Sequence, residues 1–502
     1  MNTVTTNLAT LIGASCRENS ERIALVDAQC SLTYRELEER IVSAAADLVR
    51  RGVKPNDPVA LLMLNGVDYS VAYFAVQTVG GIAVLVNARL AAPEIEHVLE
   101  DSGARILVTE SQLLDRVPSR IASSVVTVAE LRGSPTRDGY IGDWAGAERT
   151  AGDVANILYT SGTTGRPKGA MQTHANLLAN CETSRREFVI GAEDTALVVA
   201  PLFHATAINS QLIPFVASGA TCVLVPAFDR STAIATLRDH RVTVFAGVAA
   251  MVELLALDDA FVEATVPDLR AVILGGSPVG PSTLDVLRRR FPSVGVANVW
   301  GMTEATSIVT VGHRDDLFER PWTAGKVVDG TDLRVLVDGE FVVDPDVVGE
   351  LVVRGPNVTA GYWKNPAATA ETFVNGWLHT GDIGRIDPEG FVEVLDRLKD
   401  MIIRGGENVY SVEVEAVLVA HPGVAEVAVV GVPDSVFGER VCAVVARAAG
   451  SNVSAAQLRE YASRDLADYK VPDEVRFVEA LPRNASGKVL KRRIGEAIPA
   501  GT

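Results

Sequence analysis

Short apolar runs alternate with helix-length amphipathic segments through the first two thirds of this chain. Val59-Ala-Leu-Leu-Met63 reads as a buried strand, Tyr69 to Val79 as a helix closed by Gly80-Gly81, and Ile82-Ala-Val-Leu-Val86 as the next strand. Strand, helix, strand in that order predicts a parallel, doubly wound sheet. The pattern recurs at Ala196 to Val199, Thr221 to Val225, Val242 to Phe245 and Ala271 to Leu274. Such runs are apolar throughout because a parallel sheet is covered on both faces. Tyr34 to Arg51 has apolar residues at helical spacing, with Thr33 and Glu36 placed as a capping box.

From about Thr323 the texture changes. Strands become short and punctuated by glycine, as in Gly349-Glu-Leu-Val-Val-Arg-Gly355 and Gly390-Phe-Val-Glu-Val-Leu395, which predicts an antiparallel sheet or a small barrel. The last hundred residues read as a small α+β unit: a helix over Val412 to Ala420 and strands over Val424 to Val430 and Val441 to Ala446. Charge follows the same division. From Leu398 onward 13 basic residues meet 14 acidic ones, so nearly all of the net −17 lies before it. The expected architecture is α/β. A large N-terminal domain, residues 1–397, combines doubly wound mixed sheets with a small β-barrel-like subdomain, and a small mobile α+β domain, residues 398–502, follows.

With 46 Lys plus Arg against 63 Asp plus Glu, the chain is a poor candidate for nucleic acid, whose binding draws on clustered cations. Cys16, Cys30, Cys181, Cys222 and Cys442 are scattered and include no C-x-x-C pair, which argues against a disulfide framework and a structural zinc site and for a reducing cytoplasm. The start, Met-Asn-Thr-Val-Thr-Thr, lacks the basic and apolar runs of a signal peptide. The longest stretch without a charged residue, Thr195 to Phe228, is broken by Pro201, His204, Asn209, Gln211 and Pro214, so no transmembrane segment is expected.

The sharpest local signal is Tyr159-Thr-Ser-Gly-Thr-Thr-Gly-Arg-Pro-Lys-Gly169, following the short apolar run Asn156-Ile-Leu158. Gly162, Gly165 and Gly169 permit close backbone approach, Thr160, Ser161, Thr163 and Thr164 offer hydroxyls beside exposed N–H groups, and Lys168 adds a point charge. Together they suit a polyphosphate. The pattern is not a Walker A loop, which requires GxxxxGK followed by Ser or Thr. A Ser/Thr/Gly surface loop is the ordinary alternative for an isolated stretch of this kind.

This segment resembles the phosphate loop of the adenylate-forming superfamily, which includes acyl-CoA synthetases, firefly luciferase and the adenylation domains of peptide synthetases. Further motifs match in the family's order as far as Lys488, and the bacterial fatty-acid (acyl) CoA ligases look closest. The resemblance implies an AMP-forming acid–thiol ligase with ATP, Mg²⁺ and coenzyme A. A carboxylic acid becomes acyl-AMP with release of pyrophosphate, and the acyl group then passes to CoA. It leaves open transfer to a carrier-protein thiol or another nucleophile, with an acyl carrier protein as partner, and it leaves open a homodimer.

Residue by residue, Trp300-Gly-Met-Thr-Glu304 resembles an aromatic-Gly-x-Thr-Glu motif. Trp300 would stack on adenine where most relatives have Tyr, with Gly301 and Met302 beside it; Thr303 would donate to the α-phosphate and Glu304 would hold Mg²⁺. Gly275-Gly-Ser-Pro278, namely Gly275, Gly276, Ser277 and Pro278, would form the other wall of the adenine slot, and Asn298 would meet the adenine amino group. Asp382, within Gly376-Trp-Leu-His-Thr-Gly-Asp382, would accept from the ribose hydroxyls, with Arg397 as its partner. Lys488, in Pro482-Arg-Asn-Ala-Ser-Gly-Lys488, resembles the catalytic lysine, acting with Thr160, Lys168, Glu304 and His204. Lys399 matches the hinge about which the small domain rotates between half-reactions, and Gly405-Gly406 the loop lining the thiol channel.

His204, in Pro201-Leu-Phe-His204, resembles the histidine gating the acyl site. Gly301 stands where acetyl-CoA synthetases carry a Trp that stops the pocket short, so glycine would leave it open. Phe245, Ala249 and Met251 would add an apolar lining, and no Lys or Arg is apparent there for a second carboxylate. The expected substrate is a medium- or long-chain fatty acid, or a bulky alicyclic or aryl acid.

Overall fold

The computed structural model describes residues 7–119, 124–131, 148–160, 167–256, 258–276, 279–434, 436–483 and 489–496. The chain divides into two compact units. The first comprises Met1–Leu333 and Val353–His379, and the second Arg334–Val352 and Thr380–Thr502. The boundary expected at residues 397 to 400 lies inside the second unit.

The first unit holds two large sheets. Their strands in chain order are β1 (Ile23–Val26), β2 (Ser31–Thr33), β3 (Pro58–Leu62), β4 (Ile82–Leu85), β5 (Ile106–Thr109), β6 (Ser124–Thr127), β7 (Val154–Thr160) and β8 (Lys168–Thr173). They continue with β9 (Thr195–Val198), β10 (Thr221–Leu224), β11 (Val244–Val248), β12 (Ala271–Gly275), β13 (Gly295–Trp300), β14 (Thr310–His313) and β15 (Lys326–Val327). One sheet has the order β6-β5-β3-β4-β7-β8, the other β15-β14-β13-β12-β11-β9-β10-β1-β2. In the first, β3 pairs in parallel with β4 and β5, and β4 with β7, as the alternation predicts. Only β8 runs antiparallel, as the return arm of a hairpin with β7. In the second, β13, β12, β11, β9 and β10 are parallel neighbours.

The helices follow from the same patterning. Tyr34–Arg50 begins on the expected capping box: Thr33 Oγ1 accepts from Glu36 N at 3.2 Å, and Glu36 Oε2 accepts from Thr33 N at 2.8 Å. Its apolar stripe, Leu37, Ile41, Ala44 and Leu48, is buried. Val67–Thr78 is buried almost all round, as a helix between layers must be.

After Thr331 strands pair antiparallel as expected, but they do not all shorten: Trp377–Ile386 runs 10 residues and Val424–Asp434 runs 11. Val335 pairs with Val342 in one hairpin, and Asp382 with Arg397 in an antiparallel ladder. In the second unit, Ile402, Val409, Val414, Leu418, Val429, Val441, Val445 and Leu458 form a separate core. The helix Ser411–Val419 and the long hairpin of Val424–Asp434 with Gly438–Arg447 supply most of it. Among the described residues no helix is long and apolar enough to cross a membrane, and the five cysteines are free thiols.

Candidate active site

Parallel strands share a direction, so β9, β11, β12 and β13 end on one edge of their sheet. That edge carries the sequence-predicted residues: His204 follows β9, Ala249 follows β11, Gly275 ends β12, and Trp300 ends β13 ahead of Gly301 to Glu304. Ligands of open α/β sheets collect at such carboxyl edges, because helix N-termini and loop N–H groups face outward there.

The turn after β13 is tightly held. Ala305 N donates to Met302 O at 3.0 Å, Thr306 N to Thr303 O at 3.0 Å, Thr359 N to Glu304 O at 2.9 Å and Ser307 N to Ala305 O at 2.7 Å. Glu304 Oε1 accepts from the Tyr362 hydroxyl at 2.8 Å and from Thr160 Oγ1 at a longer 3.4 Å. Thr160 and Lys168 are paired across the β7–β8 hairpin, and Lys168 Nζ lies 5.2 Å from the centre of the Tyr362 ring. Thr160, Lys168, Glu304 and Tyr362 are thus brought together. Burial, with the Glu304 carboxylate beside it, pushes the Tyr362 phenol well above its ordinary value, so it stays a hydrogen-bond donor.

This donor set fits Mg²⁺. It offers one partly buried carboxylate and a hydroxyl, all hard oxygens, and no group of three or more His, Cys, Asp or Glu suited to a metal occurs among the described residues. Mg²⁺ is commonly held by one or two carboxylates, with phosphate and water completing the octahedron.

Trp300 is half-buried and packs against Ala305, Val309, Val353 and Leu378. Asn298, also on β13, donates from Nδ2 to Thr323 O at 3.3 Å. At Gly301 the structure corrects the pocket reading. A Cβ there would fall on the Ser307 carbonyl, with Ile308 Cα 3.2 Å away. Glycine at 301 makes room for backbone, so the missing side chain does not open onto empty space.

Phe245 and Ala249 are buried in one apolar cluster with Leu197, Val272 and Leu274, and Met251 packs against it. A Cβ on Gly247 would meet both Phe245 and Met251, at 3.2 and 3.4 Å. His204 is half-buried, its ring edge-on to Phe203 at 4.7 Å. The structure brings Phe245, Ala249 and Met251 into one cluster and sets His204 and Gly301 on other loops of the same edge.

In the second unit, buried Asp382 accepts from Arg397 Nε at 2.8 Å across an antiparallel pair. Lys399 is exposed in the turn that follows. Gly405 and Gly406, with φ of +62° and +90°, form the two-residue turn of a hairpin in which Arg404 pairs with Glu407. Two successive positive φ values are the type I′ geometry that favours glycine. Three basic residues of this unit are ion-paired: Arg404 to Asp473 and Arg440 to Glu474 at 2.6 Å, and Lys470 to Glu413 at 2.8 Å. Ser161, Gly162, Thr163, Thr164, Gly165, Ser277, Pro278 and Lys488 lie outside the described residues.

Sequence reasoning gave Tyr362 no part; the structure sets its hydroxyl on Glu304. It passed over Gln172 and Asn209, both buried and both bonded to the turn after β13. A polar residue at an inward position of an otherwise buried strand, as Gln172 is, was the available signal.

Thr160 and Lys168 beside the Glu304 carboxylate, with the turn after β13 at the carboxyl edge of a parallel sheet, form an arrangement suited to a nucleotide-using α/β enzyme. Residues 13–363 match the AMP-binding enzyme family and residues 413–488 the AMP-binding enzyme C-terminal domain, so the chain belongs to the AMP-binding, adenylate-forming enzymes. It is 40% identical over 468 residues to a feruloyl-CoA synthase from Amycolatopsis sp, covering 92% of this chain and 93% of the other. It is 33% identical over 486 residues to a long-chain-fatty-acid–CoA ligase from Mycobacterium tuberculosis, covering 93% of each. The O-succinylbenzoate coenzyme A synthetase from Bacillus subtilis, in complex with ATP and magnesium ion, superposes with a TM-score of 0.87 at 32% identity, covering 97% of this chain and 99% of that one. The protein is an AMP-forming acid–thiol ligase that uses ATP, Mg²⁺ and CoA.

Proposed function

We propose that the acid is apolar and bulkier than acetate, with an aryl acid of the hydroxycinnamate type first among candidates and a medium- or long-chain fatty acid second. The observation that carries this is the apolar character of Phe245, Ala249 and Met251, joined to the 40% identity with a feruloyl-CoA synthase. Apolar side chains such as these offer nothing to a second carboxylate, which would have to shed its hydration unpaired.

In the first half-reaction the substrate carboxylate attacks the α-phosphorus of ATP, forming the acyl–AMP bond as the bond to pyrophosphate breaks. Two anions must approach, so the residues' work is electrostatic. Thr160, Lys168 and the loop from Ser161 to Gly165 bind the phosphates. Thr303 donates to the α-phosphate, and Glu304, steadied by Tyr362, holds Mg²⁺, which neutralises phosphate charge when bound. Trp300, Gly301, Met302, Asn298 and Gly275 to Pro278 surround the adenine, while Asp382 and Arg397 hold the ribose. Lys488 bridges the two reacting anions, and His204 gates the acyl site.

In the second half-reaction the CoA thiolate attacks the acyl carbonyl and AMP leaves. The 398–502 segment turns about Lys399, withdrawing Lys488 and presenting Gly405-Gly406 to the pantetheine arm. Acid-dependent pyrophosphate–ATP exchange across ferulate, benzoate, decanoate, palmitate, malonate and acetate tests the substrate. Exchange is expected with the aryl and longer acids, and turnover of acetate or malonate alone would remove the proposal. Lys488→Ala is expected to abolish exchange while still forming thioester from supplied acyl-adenylate.

A further inference from the structure

Behind the turn that carries Thr303 and Glu304 lies a buried amide network. Gln172, with no exposed surface, donates from Nε2 to Thr303 O at 3.3 Å. Its Oε1 accepts from Asn209 Nδ2 at 3.0 Å and from Asn156 Nδ2 at 3.4 Å. Asn209 Nδ2 also donates to Thr306 O at 2.6 Å. The Thr306 hydroxyl donates to Asn357 O at 2.6 Å, Asn357 Nδ2 to Ile308 O at 2.8 Å, and Ile308 N to Asn180 Oδ1 at 3.2 Å. With the four backbone bonds already described, every carbonyl from Met302 to Thr306 has a donor.

Two features make this more than ordinary satisfaction of buried amides. Thr306 sits at φ +62°, a left-handed conformation that a β-branched residue resists and keeps only where its surroundings over-determine it. Asn209 projects from a π-helical turn, Ile208–Leu212, whose wider winding re-aims the side chain. Gln172 lies four residues along β8 from Lys168, and alternation puts both on one face of that strand. The network therefore ties the strand bearing Lys168, the helical segment after His204 and the turn bearing Glu304 into one rigid assembly.

We infer that Gln172 and Asn209 are positioning residues for adenylation: they lock the turn after β13 so that Thr303 and Glu304 are set for the α-phosphate and Mg²⁺ before substrate arrives. The inference rests on the reading of Thr303 and Glu304 given above. Preorganised groups at fixed distances lower the barrier because nothing need be reoriented during reaction, and a misplacement of about 1 Å can cost about 100-fold.

Gln172→Met keeps length and volume and removes both amide functions. Pyrophosphate–ATP exchange is measured against Mg²⁺ and against the acid, per folded molecule, alongside thermal unfolding. The expected result is a fall in exchange turnover of about 10- to 100-fold and a rise in the Mg²⁺ needed for half-saturation, with the acid KM within about twofold of wild type. A merely structural role lowers the melting temperature and leaves turnover per folded molecule and Mg²⁺ half-saturation where they were, and that outcome overturns the inference. Should Gln172→Met not fold, Asn209→Ala, which frees the Thr306 carbonyl, is measured in the same way. Glu304→Gln separates the two levels. If it leaves exchange intact, the reading of Glu304 fails. If it abolishes exchange while the folded network variant works normally, only the positioning role fails.

Discussion

Gly301→Ala places the backbone reading of this glycine against a pocket reading. The added Cβ would coincide with the Ser307 carbonyl, and the next atom, Ile308 Cα, is 3.2 Å away. Neither neighbour can yield cheaply. The Thr306 carbonyl is held by Asn209, Ile308 N by Asn180, and Ile308 O by Asn357. Relief thus requires backbone movement in a buried turn, at about 3 kcal/mol, the upper end of ordinary over-packing costs. For a unit of this size that corresponds to a fall in Tm of about 4 °C. Differential scanning calorimetry measures it, and exchange with ferulate and with acetate measures the functional consequence. Tm and exchange with every acid are expected to fall together, with no gain for acetate. A Gly301→Ala enzyme of unchanged Tm whose preference moves toward shorter acids would refute the backbone argument and restore the open-pocket reading.

Tyr362→Phe keeps the ring beside Lys168 and Phe373 but removes the donor to Glu304; a charge-assisted bond of this kind predicts about a 10-fold loss in adenylation and a higher Mg²⁺ requirement, read by exchange titrations. Burial first, and Arg149 next, hold His174 at about 4 against an ordinary 6.5. The unfolded chain therefore takes up the proton first, so this contribution to stability is whole above pH 6.5 and is lost as pH falls toward 4. Urea unfolding should show about 1.5 kcal/mol lost from this group between pH 6.5 and 5, a slope that His174→Gln removes. Gly405→Asn suits a left-handed turn position, so it should fold normally and leave exchange unchanged while slowing thioester formation from acyl-adenylate and CoA; equal slowing of both steps would contradict the assignment of that hairpin.

Strands covered on both faces must be apolar, so the doubly wound core could be read from composition along the chain, as at Ile82 and Val244. The helix at Tyr34 could be located from Thr33 and Glu36 because a capping box is a local bond pattern. The site was legible where its residues stand together in sequence, as in the turn after Trp300. It was not legible where partners are distant. Gln172 meets Thr303 across 131 residues, Asn209 meets Thr306 across 97, and Tyr362 meets Glu304 across 58. Nothing in a single polar residue names the carbonyl it will bond. Gly301 shows the converse. A glycine marks a position where a side chain is excluded, and only the fold says whether backbone or ligand excludes it.

In the proposed chemistry the acid is activated by direct bonding to the α-phosphate. Turnover of ferulate labelled with ¹⁸O in its carboxylate, with ATP, Mg²⁺ and CoA, tests it most directly. One labelled oxygen is predicted in the AMP released, none in pyrophosphate, and the other in the feruloyl thioester. Label in pyrophosphate, or thioester formed with unlabelled AMP, would contradict it.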